Sequence, residues 1–173
     1  NVTSAGAGGL AGAPLDWTVR EAGSAGVTVG TCQLAARIDG RGNDIVLTMA
    51  AGSVVGNPVY ELLTASHHTE VVAGQSVQLE VTINTGTLTN IEKLQIYLAI
   101  TDGNGSRNEY ALVHDTDAAD LNNLTDSVFR SKPILLVGSI TQLRLRADVR
   151  GLNKDMAGVI KFGAPCIRLS RNF

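Results

Sequence analysis

A few polar side chains set the chemistry within reach of this 173-residue chain. Gln95 and Tyr97 are two apart, as are Arg144, Arg146, Asp148 and Arg150. On a strand such spacing places side chains on one face. A tyrosine there can stack on a sugar ring and donate a hydrogen bond, with Gln95 as a second hydrogen-bonding group. An arginine can fork onto a carboxylate or sulfate of an acidic polysaccharide. Plainer readings stand beside these. Tyr97 also suits an interface or a cross-strand pair. The arginine row also suits a solvated sheet face with Asp148 paired to its neighbours.

Other groups carry weaker chemistry. Trp17 fits core packing better than a stacking platform. Asp115, Asp117 and Asp120 cluster in one segment, with Asp102 and Asn104 in another, and clustered oxygens suit calcium. They lack the spacing, the glycine and the terminal glutamate of an EF-hand loop, so any metal is unknown. His67 and His68 would point to opposite faces of a strand, and His114 is far off in sequence. Cys32 and Cys166 form no CxxC pattern, which argues against zinc. They read as two buried apolar thiols; a disulfide would need the first and last strands to be neighbours. No GxSxG elbow, HExxH motif or glycine-rich loop opening a helix is present, and no acidic pair stands out for glycoside cleavage. The expectation is a protein that is not an enzyme and needs no cofactor.

Strands must position these groups. From Val77, apolar Val77, Leu79, Val81 and Ile83 alternate with Gln78, Glu80, Thr82 and Asn84. Leu94, Ile96, Leu98 and Ile100 repeat the pattern, as do Leu143, Leu145, Ala147 and Val149. A period of two marks strands with one buried and one wet face. A mostly polar loop over residues 85–90 and a tight turn at Asp102, Gly103, Asn104 and Gly105 join the central runs into an expected antiparallel meander. Further short strands are expected over residues 15–20, 27–29, 33–38, 44–49, 59–63, 127–129 and 134–137. The last strand, over residues 158–169, is interrupted at Gly163, Ala164 and Pro165. The longest connection, over residues 114–125, is polar and has room for a helical turn. Some ten short strands separated by turn residues predict an all-β sandwich or barrel. The strongest strands each bury only one face, as sandwiches require, so a single all-β, two-sheet antiparallel β-sandwich is expected. Its expected core is Ile45, Leu47, Val77, Leu79, Val81, Ile83, Leu94, Ile96, Leu98, Ile100, Leu143, Leu145 and Val149.

Composition bounds the function. The length suits one domain with a real core. A net charge of −2 gives no broad electrostatic reason to bind nucleic acid. No apolar run is long enough to insert in a membrane, and no signal peptide is visible. Residues 1–14 are small, glycine-rich and poor in large apolar groups, and are expected to be a flexible arm or linker that docks on a neighbour. The domain proper is expected over residues 15–173. The chain opens on Asn1, and the expectation is a fragment or a processed product.

Four segments carry a resemblance. Trp17, Thr18 and Val19 follow a glycine-rich lead. Residues 72–81, VAGQSVQLEV, resemble the turn and strand that enter the middle of carbohydrate-binding-module-like jelly rolls. Leu143, Arg144, Leu145, Arg146 and Ala147 resemble their penultimate strand. Residues 162–167, FGAPCI, resemble the closing strand of versions carried by bacteriophage tail fibres and tail spikes. The resemblance implies a jelly roll that binds glycans or decorates a phage-like particle. It implies a virion or extracellular location, a bacterial surface polysaccharide as partner, and a homo-oligomer, a trimer above all, or attachment to other particle subunits. It also allows a structural calcium. Against the family pattern, only 4% of residues are aromatic, with one Trp. Two functions therefore compete, a glycan-binding adhesion domain and a purely structural particle domain. In the first, Tyr97 is the platform, Gln95 its hydrogen-bonding partner, and Arg144 and Arg146 the ligands of anionic groups.

Overall fold

The structure is a computed structural model that describes residues 17–22, 30–36, 43–49, 59–64, 73–116, 118–152, 155–163 and 166–171. Twelve strands lie among them: β1 (Trp17–Ala22), β2 (Gly30–Ala36), β3 (Asn43–Met49), β4 (Val59–Thr64), β5 (Gln75–Thr85), β6 (Ile91–Asp102), β7 (Arg107–Thr116), β8 (Ser127–Arg130), β9 (Ile134–Leu135), β10 (Ile140–Gly151), β11 (Gly158–Phe162) and β12 (Cys166–Arg171). The expected strand at residues 27–29, the arm at residues 1–14, His67 and His68 lie outside the described residues.

The strands form two antiparallel sheets. One runs β1-β4-β10-β6-β7. The other centres on β5. Glu80 of β5 pairs with both Cys166 and Arg130, and Ile83 with both Phe162 and Ser127. A strand residue has only two lateral neighbours, so β11 and β12 share one side of β5 and β8 and β9 the other. β11 then continues through β3 to β2. The inward rows of both sheets close into one apolar cluster, which includes every residue of the expected core. This is the expected β-sandwich of jelly-roll type, built by alternation that commits one face of each long strand to the interior.

The expected meander is only half present. β6 and β7 form a hairpin about the turn at 102–105, where the Asp102 carboxylate accepts from Asn104 N and Ser106 N at 2.9 and 2.8 Å. β5 and β6, however, belong to opposite sheets. Residues 86–90 cross the roughly 10 Å between packed sheets instead of closing a hairpin. Leu88, set in a polar run, is buried as a plug at that end. The crossing is held by Gly86 N to Val159 O at 3.1 Å and by the paired bonds of Thr89 with Ala157. Gly158, at φ +141°, receives it, since a Cβ there would lie 2.8 Å from Leu88 Cδ2 and 2.9 Å from Thr87 O.

The long connection contributes more than a turn. Its first residues, through Thr116, extend β7, and Ala118–Leu121 is a 3-10 turn that buries Leu121. Thr85 Oγ1 donates to Leu121 O and accepts from Leu124 N, which fastens this segment to the end of β5. Between β8 and β9, Pro133 cannot donate to a ladder. The buried Ser131 keeps the pairing through Leu79 N to Ser131 Oγ at 3.0 Å and Ser131 N to Leu79 O at 2.9 Å.

The cysteines part company. Cys32 is buried, but Cys166 is exposed, which corrects the expectation of two buried thiols. Cys32 is two strands from Ile160 in register, and Cys166 registers with Glu80, five residues along β5 from Ile160's partner Thr85. At ~3.3 Å per residue and ~4.8 Å between strands, they are far beyond the roughly 7 Å that a disulfide spans. Alternation also fails on β3, where outward Asp44 and Val46 are buried along with inward Ile45 and Leu47.

Candidate binding face

The predicted site residues meet on the outward face of the five-stranded sheet. Gln95 and Tyr97 come from β6, and Arg144 and Arg146 from β10 beside it. Register places Tyr97 opposite Arg146, Gln95 opposite Asp148, and Ala99 opposite Arg144. On the other flank of β6, Tyr97 is opposite Ala111, Ala99 opposite Glu109, and Thr101 opposite Arg107. Directly opposed residues share a face with Cβ atoms about 4.5–5.5 Å apart. Local alternation chose the face, and the β6–β10 pairing brought the two pairs together.

Arg146 is held from two sides. Its Nε and Nη2 fork onto Asp148 at 2.9 and 2.8 Å. Its Nη1 reaches across β6 to Glu109 Oε1 at 2.9 Å. Arg107 meets the same Glu109 oxygen at 2.5 Å. Ala99 lies beneath this crossing at 4% exposure, its small side chain leaving room for the long ones to close over it. The expected pairing of Asp148 with a neighbour is therefore present, and it engages Arg146.

Arg144 differs. It is half-buried, and its Nε lies shut from solvent with no hydrogen-bond partner among the described residues. Farther along the face, the exposed Arg150 stands opposite Lys93, two cations in register.

Sequence reasoning missed Glu109, Arg107 and Ala99 as parts of this face. A signal existed in the 102–105 turn, since a tight hairpin there sets Thr101 against Arg107 and Ala99 against Glu109. Trp17 registers with Thr64 in the backbone, and its side chain lies outside what is described. So do the side chains of Asp115 and His114, and all of Asp117, while Asp120 is exposed. Among the described residues no three His, Cys, Asp or Glu gather as a metal would require.

A separate cavity of about 400 Å³ lies on the other sheet, lined by Asn84, Thr85, Gly86, Leu124, Thr125, Val159 and Lys161. None of the predicted site residues reaches it. Among the described residues the face carries Tyr97, the amide of Gln95 and fixed charges, groups suited to contact with a polar chain.

No protein-family model and no curated protein matches the chain. Solved structures do. Tailspike protein 4 of bacteriophage CBA120, solved as its enzymatically active domain, superposes with a TM-score of 0.57 at 12% identity over 90% of this chain. The chain spans only 20% of that tailspike chain. The C-terminal family 22 carbohydrate-binding module of Clostridium thermocellum Xyn10B matches with a TM-score of 0.54 at 11% identity, covering 90% of this chain and 86% of the module. The CBM22-1 xylan-binding domain of Paenibacillus barcinonensis Xyn10C matches with a TM-score of 0.54 at 12% identity, covering 94% and 90%. At such identities the likeness is one of fold.

Proposed function

We propose that this chain is a non-catalytic glycan-binding domain that meets its ligand on the outward face of the five-stranded sheet. Tyr97 stacks on a sugar ring, Gln95 hydrogen-bonds to its hydroxyls, and the arginines of β10 complete the contact. The observation that carries the reading is the register, which sets Tyr97 opposite Arg146 and Gln95 opposite Asp148 in the middle of the sheet. Xylan-binding and family 22 modules that share the fold support it. The finer reading is an adhesion domain of a phage or phage-like fibre or spike, on a virion or outside the cell, that recognises bacterial surface polysaccharide. The tailspike likeness supports that setting.

One observation favours a structural role instead. Val128, Leu135 and Val137 are 49%, 53% and 84% exposed along the β8–β9 edge. An apolar strand edge is a natural place for another subunit of a trimer or particle. A single programme separates the readings. A glycan array finds the ligand, and titration of Tyr97→Ala then loses about tenfold or more in affinity, as loss of one stacked aromatic does. Binding that survives this change removes the face from consideration. No bacterial glycan bound, together with a trimer by light scattering, selects the structural role.

A further inference from the structure

We infer that the glycan taken by this face carries carboxylate groups, as polyuronates do, and that Arg144 rather than Arg146 reads them. The inference rests on the glycan-binding reading above and names the ligand class for it. Of the three arginines on this face of β10, Arg144 and Arg146 are neighbours, yet their surroundings are opposite. Arg146 has its fork filled by Asp148 and its remaining arm by Glu109, so its positive charge is matched within the protein. It orients the face and offers an incoming anion two fixed carboxylates at its side. Among the described residues Arg144 shows neither of these pairings. Its Nε–H is buried without an acceptor among the described residues, a costly state for a charged donor.

Such a donor gains most from a ligand oxygen that bears charge. The Nε–Nη edge of a guanidinium matches the two oxygens of a carboxylate in one plane. The Nε–H has no hydrogen bond to lose among the described residues, so a change of side-chain torsions can turn that edge toward the outward face. A sugar hydroxyl would satisfy one N–H, whereas a carboxylate satisfies two and matches the charge. Arg144 stands opposite Ala99, the next outward residue after Tyr97 on β6, with Arg146 opposite Tyr97 itself. A ring stacked on Tyr97 would therefore bring its substituents, or those of the next sugar, within reach of Arg144.

The test compares polygalacturonate, its methyl ester and neutral xylan by titration calorimetry on the whole chain. The wild-type protein is expected to bind the acid form about tenfold or more tightly than the ester, the discrimination of a charge-assisted fork. That preference should weaken as salt is raised. Arg144→Gln is expected to bring the ratio of acid to ester affinity close to one, whatever happens to affinity itself. Arg144→Lys should restore only part of the ratio, because an ammonium cannot fork. Circular dichroism checks that both variants are folded. Equal affinity of the wild type for acid and ester, or an acid preference that persists in Arg144→Gln, overturns the inference. Xylan bound without any acid preference, or no binding to any of the three, overturns the inference while leaving the glycan-binding reading to the glycan array.

Discussion

The two sheets turn different versions of one device to solvent. On the β5 sheet a single carboxylate, Glu80, sits between two arginines. Arg130 of β8 meets it at 2.5 Å and Arg168 of β12 at 3.1 Å. On the β6–β10 sheet a single arginine, Arg146, sits between two carboxylates, Asp148 and Glu109. Glu80 belongs to the central strand and its arginines to flanking short strands, so that network fastens β8 and β12 to β5. Its arginines are 57% and 58% exposed and are bathed in solvent. Arg146 is 23% exposed and lies at the middle of its sheet. The first arrangement is a staple. The second fixes a surface beside an arginine, Arg144, whose Nε has no acceptor among the described residues. Identical residue types thus serve different ends according to which sign stands in the centre.

The comparison holds only if the inward faces are equivalent, and the largest predicted effects test that. Ile96→Ala beneath the binding face should cost about 2–5 kcal/mol and Phe162→Ala on the opposite sheet about 3–5 kcal/mol, because both side chains are fully buried. Urea unfolding measures both. A loss of only about 0.5 kcal/mol at Ile96, typical of surface changes, would mean that β6 faces the other way.

The outward networks should differ in strength. Arg146→Gln leaves two partly buried carboxylates without their shared partner and should cost about 1–3 kcal/mol. Glu80→Gln should cost less, since solvent already screens both of its arginines. Equal losses would break the distinction between staple and fixed surface. Acid sharpens it. The hydrogen bond from Arg130, with the charges of Arg130 and Arg168, holds the Glu80 carboxyl below its usual range despite some desolvation. A lowered folded pKa contributes stability above the unfolded value, and that contribution is lost as pH falls through the folded one. The difference in Tm between wild type and Glu80→Gln should therefore narrow as pH falls below the ordinary glutamate value of 4.5.

The smallest effect concerns the thiols of the β5 sheet and is read as reactivity. Burial pushes the Cys32 thiol up from 9.0 to about 12, so it stays protonated and enclosed. Cys166 is exposed on β12. A chromogenic disulfide reagent at pH 8 should titrate Cys166 at once and Cys32 only after unfolding. Because the folded value of Cys32 is raised, its contribution to stability is complete below about pH 9 and declines as pH rises toward 12. Two fast thiols in the folded protein would contradict the placement of β2 in the sandwich.

Much of this was legible in the residues, and the limits were physical. Alternation named the core and the wet face because side-chain direction in a strand repeats every two residues and needs no knowledge of neighbours. It put Gln95, Tyr97, Arg144 and Arg146 on outward faces for the same reason. Leu88, Leu121, Leu136 and Met156 escaped, since they enter the core from segments without a period. Asp44 and Val46 escaped because alternation assumes one face is wet.

Pairing belonged to the tertiary structure alone. A meander of β5, β6 and β7 and a sandwich with β5 and β6 in opposite sheets bury the same leucines, isoleucines and valines, so the pattern cannot choose between them. The choice came from distant contacts, with β10 inserted between β4 and β6 and with β11 beside β5. Only that register set Tyr97 against Arg146 and let Glu109 reach Arg146 across Ala99. The sequence by itself determined that Arg144 and Arg146 share a face. Asp148 meets Arg146 from two residues along the same strand, but the second carboxylate, Glu109, comes from β7, 37 residues away in the chain, because a side chain's direction is local and a cross-strand partner is not.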